Sequence, residues 1–201
     1  MRDHQSHTTV LIVGGGYAGL PSSVFPSTQG VPSVLADRHL AVSVQGRARR
    51  INQRTMELYR PLGLEPALLE AARPFAADSG VARCQTLSGE WEWLFDPEPD
   101  PATAQASPSA FCMADQNTVE PLLRSAAQDR GADLRLNTEV VDVSIDADGV
   151  TAVLADGGSG QRSVVRADYL IAADGHASRF AARPELPAPP GRDPALADHR
   201  H

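Results

Sequence analysis

Apolar positions near the start of the chain follow the pattern of a strand–helix–strand unit. Residues 8–13, TTVLIV, form a short continuous apolar run that is typical of a buried parallel strand, and residues 31–36, VPSVLA, predict a second one. The stretch between them is long enough for a helix. Gly14, Gly16 and Gly19 follow the first run with the spacing G-x-G-x-x-G. A unit of about 30 residues in this order predicts a mononucleotide-binding fold.

Two prolines interrupt the helix that is expected after these glycines. A proline lacks the backbone N–H and clashes with the carbonyl four residues earlier, which costs about 3 kcal/mol inside a helix. In a helix that starts near Gly15, both Pro21 and Pro26 lie inside it. The sequence therefore predicts a kinked or shortened helix whose first turn is preserved.

Helical periodicity returns in residues 51–72. Thr55 is the predicted N-terminal cap, Gly63 is the predicted end of the first helix, and a second helix is expected to start at Glu65. The apolar face of the first helix consists of Met56, Tyr59 and Leu62. The segment therefore predicts a pair of short helices.

The next segment changes to strands and then to a loop. Residues 80–95 have the pattern of a β-hairpin around Ser88 and Gly89. Residues 96–109 are rich in proline, and we expect a loop there that contributes nothing to a core.

The clearest helix pattern covers residues 114–131. Asp115 is a suitable cap and Gly131 a suitable end. Pro121 lies early enough in the helix to be tolerated. Its apolar stripe consists of Val119, Leu122, Leu123, Ala126 and Ala127.

Four or five strands are expected after this helix. Asp148-Gly149 and Asp156-Gly157 are hairpin signals, and the last strand, DYLIAA, leads into Asp174-Gly175. Residues 183–201 are rich in proline and have no periodicity, so we expect a disordered tail there.

Composition narrows the class of protein. Of the 201 residues 42% are hydrophobic and 21% are charged, which is typical of a globular protein without membrane spans. The net charge of −7 argues against a nucleic-acid partner. Cys84 and Cys112 match no metal or redox spacing and are expected to be reduced thiols in the cytoplasm, and the histidines predict no metal site.

The candidate chemistry is centred on the glycines. In a G-x-G-x-x-G turn, Gly14 allows the tight bend, Gly16 lets the backbone approach a pyrophosphate, and Gly19 lets the helix pack close to the strand. Asp37, 23 positions after Gly14, lies at the end of the second strand, where a carboxylate can accept hydrogen bonds from ribose hydroxyls. These residues predict dinucleotide binding.

Three separated segments carry a resemblance to a known family. INQRTMELYRPLGLEPALLEA (51–71), DQNTVEPLLRSAAQDRGADLRLNTEVVDV (115–143) and YLIAADGHASRF (169–180) resemble motifs of FAD-dependent aromatic hydroxylases. Those that act on aromatic polyketides are the most similar. They are class A flavoprotein monooxygenases, related to the para-hydroxybenzoate hydroxylases, and the resemblance covers about residues 8–180.

The resemblance implies an α/β fold with a Rossmann-like FAD-binding domain, a parallel sheet and an antiparallel β-meander. It divides the chain into four parts: the first part of the FAD domain (1–79), a partial substrate-domain hairpin and loop (80–110), the second part of the FAD domain (111–182) and the tail (183–201). Arg50 stands where relatives often have glycine, and we expect it to add bulk beside the cofactor.

The resemblance also implies roles for individual residues. Arg49 would lie against FAD, Gln116 would contact the ribityl and phosphate region, and Asp174 with Gly175 would serve FAD and NAD(P)H binding. Gly14, Gly16 and Gly19 would hold the pyrophosphate of FAD, and Asp37 its adenosine ribose. No side chain is expected to act as a nucleophile.

The implied activity is hydroxylation of a small aromatic, polyketide-type substrate with NAD(P)H and O2. The later Gly-Asp motif and most of the substrate-binding sheet of full-length relatives are not in this sequence, so we expect a truncated form with little or no activity. Two alternatives stay open: an NAD(P)-dependent oxidoreductase that uses the Rossmann unit alone, and a non-catalytic nucleotide-binding remnant.

Overall fold

The computed structural model describes residues 5–41, 47–75, 80–95 and 101–176, together with Ser178 and Phe180. The strands are β1 (Gln5–Val13), β2 (Ser33–Ala36), β3 (Val81–Cys84), β4 (Trp91–Phe95), β5 (Asp133–Arg135), β6 (Thr138–Asp146), β7 (Gly149–Asp156) and β8 (Arg162–Ala172). The α-helices are α1 (Gly19–Thr28), α2 (Gln53–Tyr59), α3 (Glu65–Ala72), α4 (Pro101–Ala106) and α5 (Gln116–Asp129).

Six strands form one sheet in the order β5-β2-β1-β8-β7-β6. The first four strands are parallel, and β1 lies between its two neighbours with Leu11 beside Val34 of β2 and Leu170 of β8. Strands β8, β7 and β6 pair antiparallel as a meander. The expected α/β fold with a parallel sheet and an antiparallel meander is confirmed. The predicted hairpin is also confirmed, and β3 and β4 form a separate sheet of two strands.

The two faces of the parallel strands carry different packing layers. Side chains alternate between the faces of a strand, so Ile12 of β1 and Leu35 of β2 pack among the helices, in one core with Leu20, Met56 and Leu123. The other face packs against the meander. That second core includes Leu11, Val13, Val34, Ala36, Val143, Ala152 and Val165. The parallel strands are therefore covered on both sides.

Helix α1 accommodates both prolines. It starts at Gly19 rather than near Gly15, so Pro21 is its third residue, where no N–H bond within α1 is required. Pro26 lies inside α1, which nevertheless continues to Thr28. Gly30, two residues after the last helical residue, has a φ of 70°, and its N–H donates to the Ser27 carbonyl at 3.1 Å. This left-handed glycine ends the helix in the way described for a Schellman motif.

The helix pair that the sequence predicts is present, but its cap is a different residue. Asn52, not Thr55, caps α2, because the Asn52 side-chain oxygen accepts a hydrogen bond from the Thr55 N–H at 2.8 Å. Thr55 is already inside the first turn. Gly63, with a φ of 70°, ends the 3₁₀ turn that follows α2, and α3 starts at Glu65 as predicted.

The proline-rich segment is not entirely a loop. Residues 96–100 lie outside the described residues, but Pro101–Ala106 form helix α4. The expectation of a loop is therefore wrong for this part. A proline at the first helical position has the φ that a helix needs and loses no bond there, and the alanines that follow favour a helix.

The second half of the chain follows the predicted order closely. Asp115 caps α5 by accepting the Thr118 N–H at 2.9 Å, and four strands with two hairpin turns come after it.

Both cysteines are free, and burial raises the pKa of the Cys112 thiol. None of the helices in the described ranges is long and apolar enough to cross a lipid bilayer. The predicted tail, residues 183–201, lies outside the described residues.

Candidate cofactor-binding site

A cavity of about 540 Å³ opens at the carboxyl ends of β1, β2 and β8. Ligands of open α/β sheets bind at this edge, because the loops that follow parallel strands meet there. Six of the residues that the sequence nominated line the cavity: Gly14, Gly16, Asp37, Gln116, Asp174 and Gly175. The other two, Gly19 and Arg49, do not line it.

The glycine loop is shaped by close backbone approaches. Gly14 has a φ of 101°, and a Cβ there would overlap the Ala173 carbonyl after β8. A Cβ on Gly19 would overlap the Gly14 carbonyl, so α1 can pack this close to the loop only without a side chain. Gly16 differs, since a Cβ there would meet only Glu120 Oε1, at 3.8 Å. Gly14 and Gly19 thus hold the loop in shape, and Gly16 leaves open space at the cavity wall.

Asp37 ties the end of β2 to this loop. Its Oδ2 accepts a hydrogen bond from the Gly15 N–H at 2.5 Å, and its Oδ1 accepts one from the His39 N–H at 2.7 Å. The His39 ring Nδ1 lies 3.1 Å from the same Oδ1. The carboxylate is 14% exposed, so it lies at the cavity wall rather than in bulk solvent. Arg38 and His39 also line the cavity, and only their position directly after Asp37 could have indicated them.

One arginine of the basic run lines the cavity. Arg47 is a lining residue and Arg49 is not, although both side chains are exposed. The run is held beside α5 by backbone bonds: the Ala48 carbonyl accepts the Gln116 N–H at 2.9 Å, and Ile51 pairs with Cys112. Arg50 does not line the cavity either; its guanidinium lies 3.5 Å above the Phe111 ring.

Helix α5 provides an amide and a carboxylate to the cavity. Gln116 is 9% exposed and Glu120 is 1% exposed. The Gln116 Nε2 donates to Glu120 Oε1 at 2.5 Å. The sequence analysis missed Glu120, although its spacing of four residues from Gln116 places both on one helix face.

The segment after β8 completes the site. The Ala173 N–H bonds to the Val13 carbonyl at 2.8 Å, which keeps Asp174 next to the glycine loop. Gly175 has a φ of 88°, a conformation that side chains rarely adopt. His176 and Phe180 also line the cavity, although neither was predicted as a site residue from the sequence.

The charges of the cavity are mixed. Among the described lining residues there are four carboxylate side chains, Asp37, Glu120, Glu139 and Asp174, and two guanidinium side chains, Arg38 and Arg47. An anionic ligand would therefore be held mainly by the positive end of the α1 dipole and by these arginines. Tyr17, in the loop, packs into the helical core instead, where burial and the neighbouring Tyr59 and Glu120 raise its pKa.

Comparison with known proteins identifies this arrangement. The family described as FAD binding domain matches residues 7–195. The chain belongs to this family. A tetracenomycin B2 monooxygenase-dioxygenase of Streptomyces olivaceus is 39% identical in an alignment 180 residues long that covers 83% of this chain and 33% of that protein. A 4-methyl-5-nitrocatechol 5-monooxygenase of Burkholderia sp is 38% identical over 175 residues, 87% of this chain and 32% of that protein.

Solved structures agree with the fold. The flavin-dependent monooxygenase PieE, solved with FAD and substrate, superposes with a TM-score of 0.79 at 36% identity and covers 88% of this chain. This chain covers 31% of PieE. An aklavinone-11 hydroxylase, solved with FAD and aklavinone, superposes with a TM-score of 0.74 at 29% identity over 90% of this chain and 35% of that one. The chain therefore spans about a third of the length of these relatives.

Proposed function

We propose that this chain is the FAD-binding part of a flavoprotein monooxygenase that hydroxylates aromatic, polyketide-type substrates. The observation that carries the proposal is the glycine loop, tied to Asp37 and open at Gly16, at the strand-end cavity of a chain in the FAD binding domain family. The relatives named as monooxygenases are about three times longer, so the hydroxylation itself would need residues of a complete enzyme.

The residues present fit the adenosine and pyrophosphate parts of FAD. The open space at Gly16 and the N-terminal amides of α1 suit a pyrophosphate, since they combine backbone donors with a positive dipole. Asp37 keeps acceptor capacity for a ribose hydroxyl, because a carboxylate has about four lone-pair sites and the three bonds described above use fewer. Arg47 is proposed as the arginine that approaches the cofactor, in place of Arg49, and its position in the cavity lining supports this.

The remaining cavity residues would hold the flavin side of the cofactor. Gln116 would contact the ribityl region, and Asp174 with Gly175 would lie where the β8 end meets the glycine loop. When bound, FAD supplies the oxygen-transfer chemistry, and the protein binds, orients and excludes water.

NAD(P)H is proposed as the reductant and a small aromatic molecule as the substrate. The reductant is the one that the family resemblance implies, and the substrate class follows from the names of the relatives, which include an aklavinone 12-hydroxylase of Streptomyces peucetius. An oxidoreductase that binds NAD(P) in the Rossmann unit is the competing function, and a non-catalytic nucleotide-binding protein is the third.

A titration separates the first function from the second, whereas an activity assay separates the first from the third. The purified 201-residue chain, freed of small molecules, is titrated with FAD while flavin fluorescence is followed, with NAD and NADP as controls. Saturable binding of FAD but not of NAD or NADP supports the proposal. Preference for NAD or NADP would favour the Rossmann oxidoreductase, and a folded chain that binds none of the three would contradict all cofactor-dependent functions.

Two arginine variants sharpen this test. Arg47→Ala should weaken FAD binding by about tenfold, the loss expected for one charge-assisted contact. Arg49→Ala, which removes the same charge from the same run outside the cavity, should leave the affinity unchanged. The reverse result would restore Arg49 as the cofactor-binding arginine.

A further inference from the structure

A buried carboxylate lies on the cavity wall beside the nominated glutamine. Glu120 is 1% exposed and accepts a hydrogen bond from Gln116 Nε2 at 2.5 Å. It is not the helix cap, because Asp115 performs that role. Its Oε1 lies 3.8 Å from the place that a Cβ on Gly16 would occupy, directly behind the open part of the glycine loop.

Charge alone makes this an unfavourable position. A carboxylate close to the site of a pyrophosphate repels it, and burying a carboxylate costs free energy unless polar groups compensate. Glu120 therefore does not act as a simple electrostatic attractor for the cofactor, and its contact with Gln116 indicates a different role.

The contact controls which end of the Gln116 amide faces the ligand. A glutamine amide that rotates by 180° exchanges its oxygen and its NH2 group at nearly the same shape. Beside Glu120 the two orientations differ, because the rotated amide would place the Gln116 oxygen against a carboxylate oxygen, acceptor against acceptor. Glu120 thus holds the NH2 group towards itself and leaves the Gln116 oxygen for other donors.

We propose that Glu120 is a positioning residue that orients the Gln116 amide, so that Gln116 presents its carbonyl oxygen to a hydroxyl of the ribityl chain of FAD. This inference rests on the proposed FAD binding. A ribityl hydroxyl can donate to that oxygen, whereas an ionised phosphate oxygen can only accept. Gln116 therefore selects the polyol part of the cofactor and not its pyrophosphate.

The direction in which one substitution changes FAD affinity tests the role of Glu120. Glu120→Gln removes a negative charge near an anionic ligand, so electrostatics alone predicts tighter FAD binding. Loss of amide orientation predicts weaker binding instead, by about two- to tenfold, the range for one hydrogen bond. Asp129→Asn is the matched control, because it removes a carboxylate from the same helix at a position that does not line the cavity, and it should leave FAD binding unchanged.

A double-substitution cycle shows whether Glu120 acts through Gln116. Gln116→Leu should weaken FAD binding, and adding Glu120→Gln to it should cause no further loss, because the orientation then has nothing to act on. An equal loss in both backgrounds would indicate a general structural role and overturn the proposal. Thermal unfolding of each variant without ligand verifies that the fold is intact, and Glu120→Asp, which shortens the side chain but keeps the charge, replaces Glu120→Gln if that variant does not fold.

A truncated ligand locates the contact. ADP carries the adenosine and the pyrophosphate of FAD but no ribityl chain, so Glu120→Gln should leave ADP binding unchanged while FAD binding weakens. Equal weakening for both ligands would place Gln116 at the phosphates and overturn the inference. If the unsubstituted chain binds FAD and Glu120→Gln binds it as tightly or more tightly, only this inference fails. If the unsubstituted chain does not bind FAD, the proposed function fails as well.

Discussion

At the residue scale, two glycines of the same loop differ in whether the backbone could accept a side chain there. Gly14 is needed for the backbone, because its φ is 101° and a Cβ would overlap the Ala173 carbonyl. Gly16 has neither constraint, since a Cβ there meets only Glu120 at 3.8 Å. The same substitution at the two positions therefore separates folding from binding.

Gly14→Ala should lower the free energy of unfolding by more than about 1 kcal/mol, because an alanine at positive φ is strained and its Cβ meets backbone. Gly16→Ala should leave stability within about 0.5 kcal/mol. It should nevertheless weaken FAD binding by about tenfold, since its methyl group occupies the space nominated for the pyrophosphate. Urea unfolding and FAD titration measure the two effects, and a Gly16→Ala variant with unchanged FAD affinity would move the pyrophosphate away from the loop.

The site residues differ in how far the sequence could predict them. The cavity-lining positions of Gly14, Gly16 and Asp37 follow from local spacing within one strand–helix–strand unit, and the structure brings them together at the cavity. The choice of Arg47 over Arg49 could not be read from the run itself. The run is held by the pairing of Ile51 with Cys112, 61 positions along the chain, and local spacing does not reveal such a contact.

At the element scale, the corrected cap of α2 leads to a stability prediction. Asn52→Ala removes the acceptor of the Thr55 N–H and should lower the free energy of unfolding by about 1 kcal/mol. Thr55→Ala keeps the N–H that makes the bond and should change stability by less than about 0.5 kcal/mol. Denaturant unfolding of both variants checks this. A larger loss for Thr55→Ala would show that the threonine hydroxyl, not Asn52, stabilises the helix start.

A second element-scale prediction concerns the meander. Arg166 of β8 donates to both carboxylate oxygens of Asp146 in β6, at 2.8 and 2.5 Å, and also to Thr151 in β7 at 2.9 Å, so one side chain links three strands. The Arg166 hydrogen bonds, and next the Asp148 N–H, lower the pKa of Asp146 from 3.8 to about 2. Because the pKa of Asp146 is lower in the folded chain than in the unfolded chain, the ionised carboxylate stabilises the fold at pH values above the unfolded-state pKa. This contribution is lost as the pH falls through the folded-state pKa.

Asp146→Asn should therefore reduce stability at pH values above 3.8, and the difference from the unsubstituted chain should shrink between 3.8 and about 2. Urea unfolding at a series of pH values measures it. Because the Asp146 side chain is exposed, about 1 M salt should also reduce the difference. A difference that stays constant down to pH 2 would mean that the charge of Asp146 is not what stabilises the meander.

Periodicity predicted the long elements and missed a short one. The apolar stripe of α5 and the alternating residues of β7 are patterns that can be recognised in the local sequence, and both elements are present. Helix α4 was missed because its segment has prolines on both sides and its six residues have no apolar stripe. The exact start of α1 depends on Pro21, which has no N–H group. The Leu20 N–H donates to the Gly16 carbonyl and the Ser22 N–H to the Ala18 carbonyl, but Pro21 cannot donate the bond that would come between these two.

At the scale of the whole molecule, the fold divides into a packed sheet domain and an exposed hairpin. The six-stranded sheet is covered on both faces, whereas every described side chain of β3 and β4 is exposed. The sequence predicted the hairpin but could not show this contrast, because exposure depends on what the rest of the chain packs against. The pairing of β8 with β1 joins the meander to the parallel strands, and packing of the meander against β1 and β2 adds a shared core.

The position of the two tryptophans makes this division measurable. Trp91 and Trp93, the only tryptophans of the chain, both lie in β4, and they are 59% and 43% exposed. Their rings form an edge-to-face pair with centroids 4.6 Å apart. Tryptophan emission therefore reports on the hairpin, while far-UV circular dichroism reports mainly on the larger sheet domain.

Because the hairpin has few buried contacts, it should open at a lower urea concentration than the sheet domain. The transition followed by tryptophan emission should then precede the one followed by circular dichroism, and added FAD should shift only the second, since its cavity lies on the sheet. Leu154→Ala, a change in the meander core, should move the circular dichroism transition and leave the emission transition in place. Coincident transitions that shift together with FAD would show that the hairpin and the sheet domain unfold as one cooperative unit.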